Sequence, residues 1–247
     1  MSFARKFASF FVFICLLWKA SPLIASGPPP NPNIQIDALL KLAPRLAPQA
    51  LEAALTALKR LSASGSNVRW DVVTVIDYSK PSTEHRMWVF DLAHARVLFD
   101  ELAAHGKNSG DNQPLRFSNA PDSLMSSLGV FLTGDTYIGK HGLSLRLQGL
   151  EKGFNDNCMA RAIVIHAADY VSDVIAAAKG RIGRSWGCPA VRPEISRPLI
   201  ETLRGGSLVL AYYPDHDWMR NSKLAGLDQT LLQLKTPPEF LKLTLTQ

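Results

Sequence analysis

Cys188 is the residue around which chemistry can be built. It sits in Gly183-Arg184-Ser185-Trp186-Gly187-Cys188-Pro189-Ala190, between glycine- and proline-shaped turns and just ahead of a helical pattern. The thiolate, not the thiol, is the nucleophile, and cations close in sequence, here Arg181 and Arg184, favour it. Gly187 lets the backbone approach a ligand closely. Amides of such a turn can point at a developing oxyanion. The bland alternative is a buried structural cysteine, the commonest fate of a lone Cys. A cysteine nucleophile also needs a base, usually His. His166 closes the apolar run Ile163-Val164-Ile165, 22 residues before Cys188, where a strand end would present it. Alone, it reads equally as a histidine hydrogen-bonded at a sheet margin; its pairing with Cys188 raises it.

Other residue types are less telling. His141 in Lys140-His141-Gly142 and His105 in Ala104-His105-Gly106-Lys107-Asn108 could line a cleft, but each also fits a turn. Cys158 follows Asn155-Asp156-Asn157. A bond from it to Cys188 would quench the nucleophile, so a free or buried thiol is expected. HExxH and CxxC are absent, so neither a metal site nor a cofactor is expected. No phosphate loop or dinucleotide fingerprint occurs. GxSxG is absent as well, which argues against an α/β-type serine hydrolase.

The elements that must hold these residues are mostly strands. Val72-Val73-Thr74-Val75-Ile76 is β-branched. Met87 to Leu92 and Val97 to Leu102 flank a short turn and read as a hairpin. Further strands are expected at Gly129–Leu132, Thr136–Lys140, Leu143–Leu147, Ile163–His166 and Ser207–Tyr213. Helices are expected over Ile34–Leu61, broken by Pro44 and Pro48, and over Pro193–Leu203. The pattern predicts a β-dominated α+β domain, a sandwich or barrel with a few helices. Residues 70–213 form the domain, 27–69 a linker and helical segment, and 214–247 an appendage with a helical pattern at Leu224–Leu234.

Residues 1–26 read as an export signal rather than fold. Arg5, Lys6 and Lys19 bracket a run of 12 residues with only Ser9 polar. A helix that long rises about 18 Å, short of a bilayer core of about 30 Å. Small residues at Ala25 and Ser26 suit cleavage. A periplasmic or secreted protein without stable membrane insertion is expected. The 27 Lys+Arg against 21 Asp+Glu give +6, and removing three basic residues with the signal leaves 24 − 21 = +3. The remaining basic residues are scattered, with no aromatic-interleaved patch, so nucleic acid is not expected as a partner.

At these residues the chain resembles the L,D-transpeptidase (YkuD-like) family, in its murein L,D-transpeptidase catalytic-domain branch. The pattern is a histidine at a strand end, then Ser-x-Gly-Cys, here His166 and Ser185-Trp186-Gly187-Cys188. Asp77–Ser82, His105–Gly110, Phe117–Asn119, Ser126–Gly129, His141–Leu147 and Gly153–Asn157 also look like this branch, in the expected order. The resemblance implies an exported enzyme acting on peptidoglycan stem peptides through a thioacyl intermediate. It implies Cys188 as nucleophile, His166 as base, the amides of Gly187 and Cys188 as oxyanion donors, and Ser185 as the residue that orients or neighbours the histidine. Trp186, Arg184, His141 and Asn155 are the candidates for substrate contact. Two positions depart from the pattern. Trp186 stands where many members carry a second His, and Ala190 where many carry Arg or Asn. The same residues would serve a hydrolase, an L,D-carboxypeptidase or an enzyme releasing wall-bound protein; a non-catalytic wall-binding module is the reading from another class.

Overall fold

The structure, a computed structural model, describes residues 36–226. The expected signal segment, the proline-rich linker and the chain beyond residue 226 lie outside the described residues. Two helices come first, α1 (Ile36–Leu42) and α2 (Pro48–Ala63). Pro48 supplies the fixed φ that suits a first helical position. Leu51, Ala54, Leu58 and Leu61 line the buried face of α2. That face covers β1 (Arg69–Asp77) and β8 (Ser207–Tyr212). Residues Val72–Asp77 are buried without alternation, as is all of β8. Such runs mark strands covered on both faces, and β1 and β8 pair in parallel at the centre.

Between them run β2 (Met87–Asp91), β3 (Arg96–Glu101), β4 (Gly129–Gly139), β5 (Gly142–Gly149), β6 (Val164–Ala167), α3 (Asp173–Lys179), the two-residue β7 (Ala190–Val191) and α4 (Pro193–Leu203). The eight strands form one mixed sheet in the order β3-β2-β1-β8-β4-β5-β6-β7. The two expected strands at 129–132 and 136–140 are one strand, β4. Its pairing with β5 slips by one residue between Thr133 and Thr136, a bulge at Gly134-Asp135. The strand pattern did not anticipate α3, which Ser172 caps by accepting the Ile175 amide at 3.2 Å and Gly180 ends at φ +65°.

The sheet nearly closes on itself, as a β-dominated domain without free edges requires. Beyond β3 the chain reaches β7, where the Ala104 amide donates to the Ala190 carbonyl at 2.8 Å. Arg192 spans the same seam to Glu101 with two bonds of 2.7 and 2.8 Å. Further on, Gly106 and Ser185 form a parallel bridge. After β8, α5 (His216–Asn221) packs back on the domain. Trp218 is buried there and donates to Glu151, whose Oε2 also accepts the Val130 amide at 2.7 Å. Among the described residues no helix is long and apolar enough to cross a membrane.

Candidate active site at the sheet seam

β6 and β7 bring the two expected residues together. His166 pairs in register with Ala190, two residues after Cys188. Continuing that register sets Cys188 beside Val164, and the Val164 amide lies 3.5 Å from Sγ. The Ala162 carbonyl is 3.7 Å away on the same side. Ala162 holds φ +52°, left-handed backbone that costs an L-residue about 1–2 kcal/mol. Strain of this kind collects at functional sites. No hydrogen bond joins Cys188 to His166 among the described residues, so the two groups are neighbours rather than a bonded pair.

The imidazole of His166 is buried and fixed. Nδ1 lies 2.7 Å from the Ala167 carbonyl. A carbonyl only accepts, so Nδ1 carries the proton and Nε2 of the neutral ring is the acceptor. The ring of His141, from the β4–β5 turn, stacks on it at 4.3 Å and 23°. Burial pushes the His166 pKa down, the Ala167 bond opposes that, and His141 adds to it. The ring is therefore neutral near pH 7. Burial pushes the Cys188 thiol up, while the Val164 amide and Arg161 pull it down. A protonated thiol beside a neutral imidazole is an arrangement that needs general-base activation.

The nucleophile loop is bound at several points. Ser185 Oγ donates to the Cys188 carbonyl at 2.6 Å and accepts the Gly187 amide at 3.0 Å. Ser185 thus braces its own turn and does not orient His166, as its place in the motif suggested. The Gly187 amide is spent in the same way, which leaves the Cys188 amide as the available oxyanion donor. Gly187 holds φ +129°, and a Cβ there would meet the Met125 carbonyl at 2.7 Å. The Gly187 carbonyl accepts from Ser126 Oγ at 3.1 Å. The Ser185 amide donates to the His105 carbonyl at 2.9 Å, and the Lys107 amide to the Ser185 carbonyl at 2.8 Å.

Behind this loop stands a buried cation. Arg86 is fully buried and donates to the carbonyls of Lys80 and Ala103 and to His105 Nδ1, the last at 2.7 Å. His105 Nε2 faces the Gly110 carbonyl. Burial first, then Arg86, drives the His105 pKa down to about 3, so it is a neutral framework residue. Sequence reasoning placed His105 in a turn or cleft and missed Arg86, whose part depends on contacts 17 to 19 residues away.

The expected substrate contacts separate into two groups. Trp186 is 73% exposed two residues before Cys188, with Lys107 Nζ 6.0 Å from its ring centre. His141 is also exposed at the site. Arg184 is instead tied to the carbonyls of Lys107 and Gly110 and to Asp111, and Arg181 also pairs with Asp111. Asn155 is fully buried; it donates to the Leu128 and Val130 carbonyls and accepts the Glu151 amide. Its amide therefore shapes the turn into β4 and cannot reach a substrate. The cation that acts on the thiol is Arg161, held by Ser118, Ser123, Met125 and Ser127. It stands five residues before His166, a spacing that carried no signal in the sequence. Arg192, engaged with Glu101 at the seam, does not fill the place left by Ala190. Among the described residues no group of three or more His, Cys, Asp or Glu could hold a metal ion.

A family model described as the L,D-transpeptidase catalytic domain matches residues 42–212, well over half of the chain. The chain belongs to this family. The match spans α2 through β8 and so includes every residue of the site above. A search of curated proteins finds no match. Among solved structures, an L,D-transpeptidase from Mycobacterium smegmatis is similar at 15% identity, covering 58% of this chain and 59% of that one, with a TM-score of 0.35. L,D-transpeptidase 1 from Mycobacterium tuberculosis is similar at 13% identity, covering 57% and 60%, with a TM-score of 0.33. An L,D-transpeptidase from Stackebrandtia nassauensis is similar at 14% identity, covering 72% and 76%, with a TM-score of 0.35. This L,D-transpeptidase domain protein thus spans about three fifths of the two mycobacterial chains.

Proposed function

We propose that this protein is an exported cysteine-dependent L,D-transpeptidase that acts on peptidoglycan stem peptides through a thioacyl-enzyme. The observation that carries the reading is the Cys188 thiol at the Val164 amide, two residues before the strand that pairs with a neutral His166 whose Nδ1 is fixed to Ala167. Family membership supports the substrate class, and the basic, apolar start of the sequence supports export.

In this mechanism His166 Nε2 takes the thiol proton as Sγ attacks the carbonyl of the L-centred third residue of a stem, in the amide that joins it to the terminal D-residue. The oxyanion forms against the Cys188 amide. As the C–N bond breaks, the imidazolium returns its proton to the departing amine of the terminal D-residue. The thioester then passes to an amine, with loss of one amine proton to His166, or to water. Transfer and hydrolysis share the first half, and the acceptor decides between them.

The test is a mass measurement after incubating the pure mature domain with a carbapenem, whose ring carbonyl acylates a nucleophile without losing a fragment. An adduct of full carbapenem mass on the parent and none on Cys188→Ala is expected. No adduct on the parent, or an equal one on Cys188→Ala, overturns the nucleophile. Muropeptide profiles of cells with parent or Cys188→Ala then read the second half: more 3→3 cross-links mean transfer, and more trimmed tripeptide stems mean hydrolysis.

A further inference from the structure

The His141 ring has no evident reason to lie where it does. It is exposed, at the tip of a turn, and a surface imidazole is ordinarily free to rotate. Here it lies nearly parallel to the ring of His166, with centroids 4.3 Å apart. The turn is built to send it there. Gly139 pairs with Gly142 across the tip Lys140-His141, and Gly142 takes φ +74°, the left-handed residue that follows a turn of this kind and returns the chain to the strand. Ser144 Oγ then donates back to the Gly142 carbonyl at 3.2 Å. Ser144 is itself the register partner of His166, so the tip folds over the strand next to the base.

The His166 ring needs a second restraint. Torsion about χ2 of histidine is broad. The bond from Nδ1 to Ala167 fixes one in-plane direction but leaves the ring able to tilt about the N–O line. A ring stacked on one face blocks that tilt. The two contacts together aim Nε2, the only free ring nitrogen. Stacked rings exchange no proton directly, because the ring N–H and lone pairs lie in the ring planes. The role of His141 is therefore geometric.

We propose that His141 is a positioning residue that acts through His166, its stacked ring holding the base at the angle from which Nε2 receives the Cys188 proton. The proposal rests on the reading of His166 as the base. Phe can stack in the same place without a titrating nitrogen, whereas Ala cannot. The experiment compares the carbapenem acylation rates of the parent, His141→Ala and His141→Phe, together with their melting temperatures. His141→Ala is expected to acylate on the order of 10- to 100-fold more slowly at an unchanged melting temperature, since residue 141 is exposed. His141→Phe is expected to recover most of the parent rate. Parent-like acylation by His141→Ala overturns the proposal, and so does a Phe variant as slow as the Ala one. Ring NMR of His166 in the same three proteins needs no turnover. It should show a single, ordered ring orientation in the parent and His141→Phe and averaging over ring tilt in His141→Ala, with the Nδ1–H tautomer kept in all three by the Ala167 bond. A parent that fails to acylate counts against the nucleophile, and the ring spectra still decide the stack: equal ring order in all three proteins overturns it.

Discussion

Cys158 and Cys188 flank the same three residues. Cys158 Sγ contacts the Ile163 carbonyl at 3.7 Å and the Leu147 carbonyl at 3.1 Å. Cys188 Sγ faces the Ala162 carbonyl and the Val164 amide. Successive backbone groups of an extended segment point to opposite edges, so the entry to β6 presents one edge to each sulfur. Burial pushes the Cys158 thiol up to about 12, and Arg161 pulls on both sulfurs. A cation nearby therefore does not make a nucleophile. The difference lies in the surroundings. Each sulfur has a carbonyl and an amide near it, but Cys158 is fully buried, whereas Cys188 is half-buried and open to reagents.

The largest expected effect is a contrast in labelling. With iodoacetamide under native conditions, Cys188 should react while Cys158 waits for unfolding, slower by about 10³-fold or more. Peptide mapping with time reads both sites in one sample. Equal labelling of the two breaks the comparison.

A second contrast lies behind each thiol. The Cys188 loop hangs on neutral His105, whose pKa of about 3 in the fold compares with an ordinary 6.5. Between these values the unfolded chain binds a proton that the folded chain refuses. The stabilisation is complete above pH 6.5 and is lost as pH falls toward 3. Each pH unit is worth about 1.4 kcal/mol, so roughly 2 kcal/mol should disappear between pH 6.5 and 5. Urea unfolding across that range should show this slope, and His105→Asn, which keeps an acceptor for Arg86 without titrating, should flatten it. An unchanged slope in His105→Asn assigns the titration elsewhere.

The smallest effect concerns Arg161. Arg161→Met should raise the Cys188 titration and slow its alkylation at pH 7 by a few-fold, about the size of one lost charge contact. Cys158 should show no change in native labelling, because access limits it rather than charge. A Met variant as reactive as the parent removes Arg161 from the account of the thiol.

Much of this was legible along the chain. The β-branched run of β1, the hairpin of β2 and β3 and the proline-led α4 stand where local pattern puts them. His166 and Cys188 meet because a strand end and a glycine turn are local features whose spacing suits neighbouring strands. Short elements were not legible: β7 has two residues and is defined by its partner, and α3 by its caps. Arg161, Arg86 and Ala162 act through contacts or a backbone angle that no local pattern encodes. The Asn155 stretch shows the opposite error. A residue that saturates backbone groups in a turn and one that touches substrate can stand in equally distinctive motifs, and only burial separates them.

The seam also has a kinetic consequence. Glu101 and Arg192 lie 91 positions apart, and Ser185 finds its amide acceptor at His105, 80 positions back. Loop-closure entropy must be spent before contacts this distant form. The cradle of Cys188 therefore belongs to the late events of folding, after the local hairpins. A chain caught part-folded carries its thiol without the imidazole, amide and brace around it. The surroundings of the thiol arrive with the last contacts, so, on the proposed function, acylation would be a clock for completed folding.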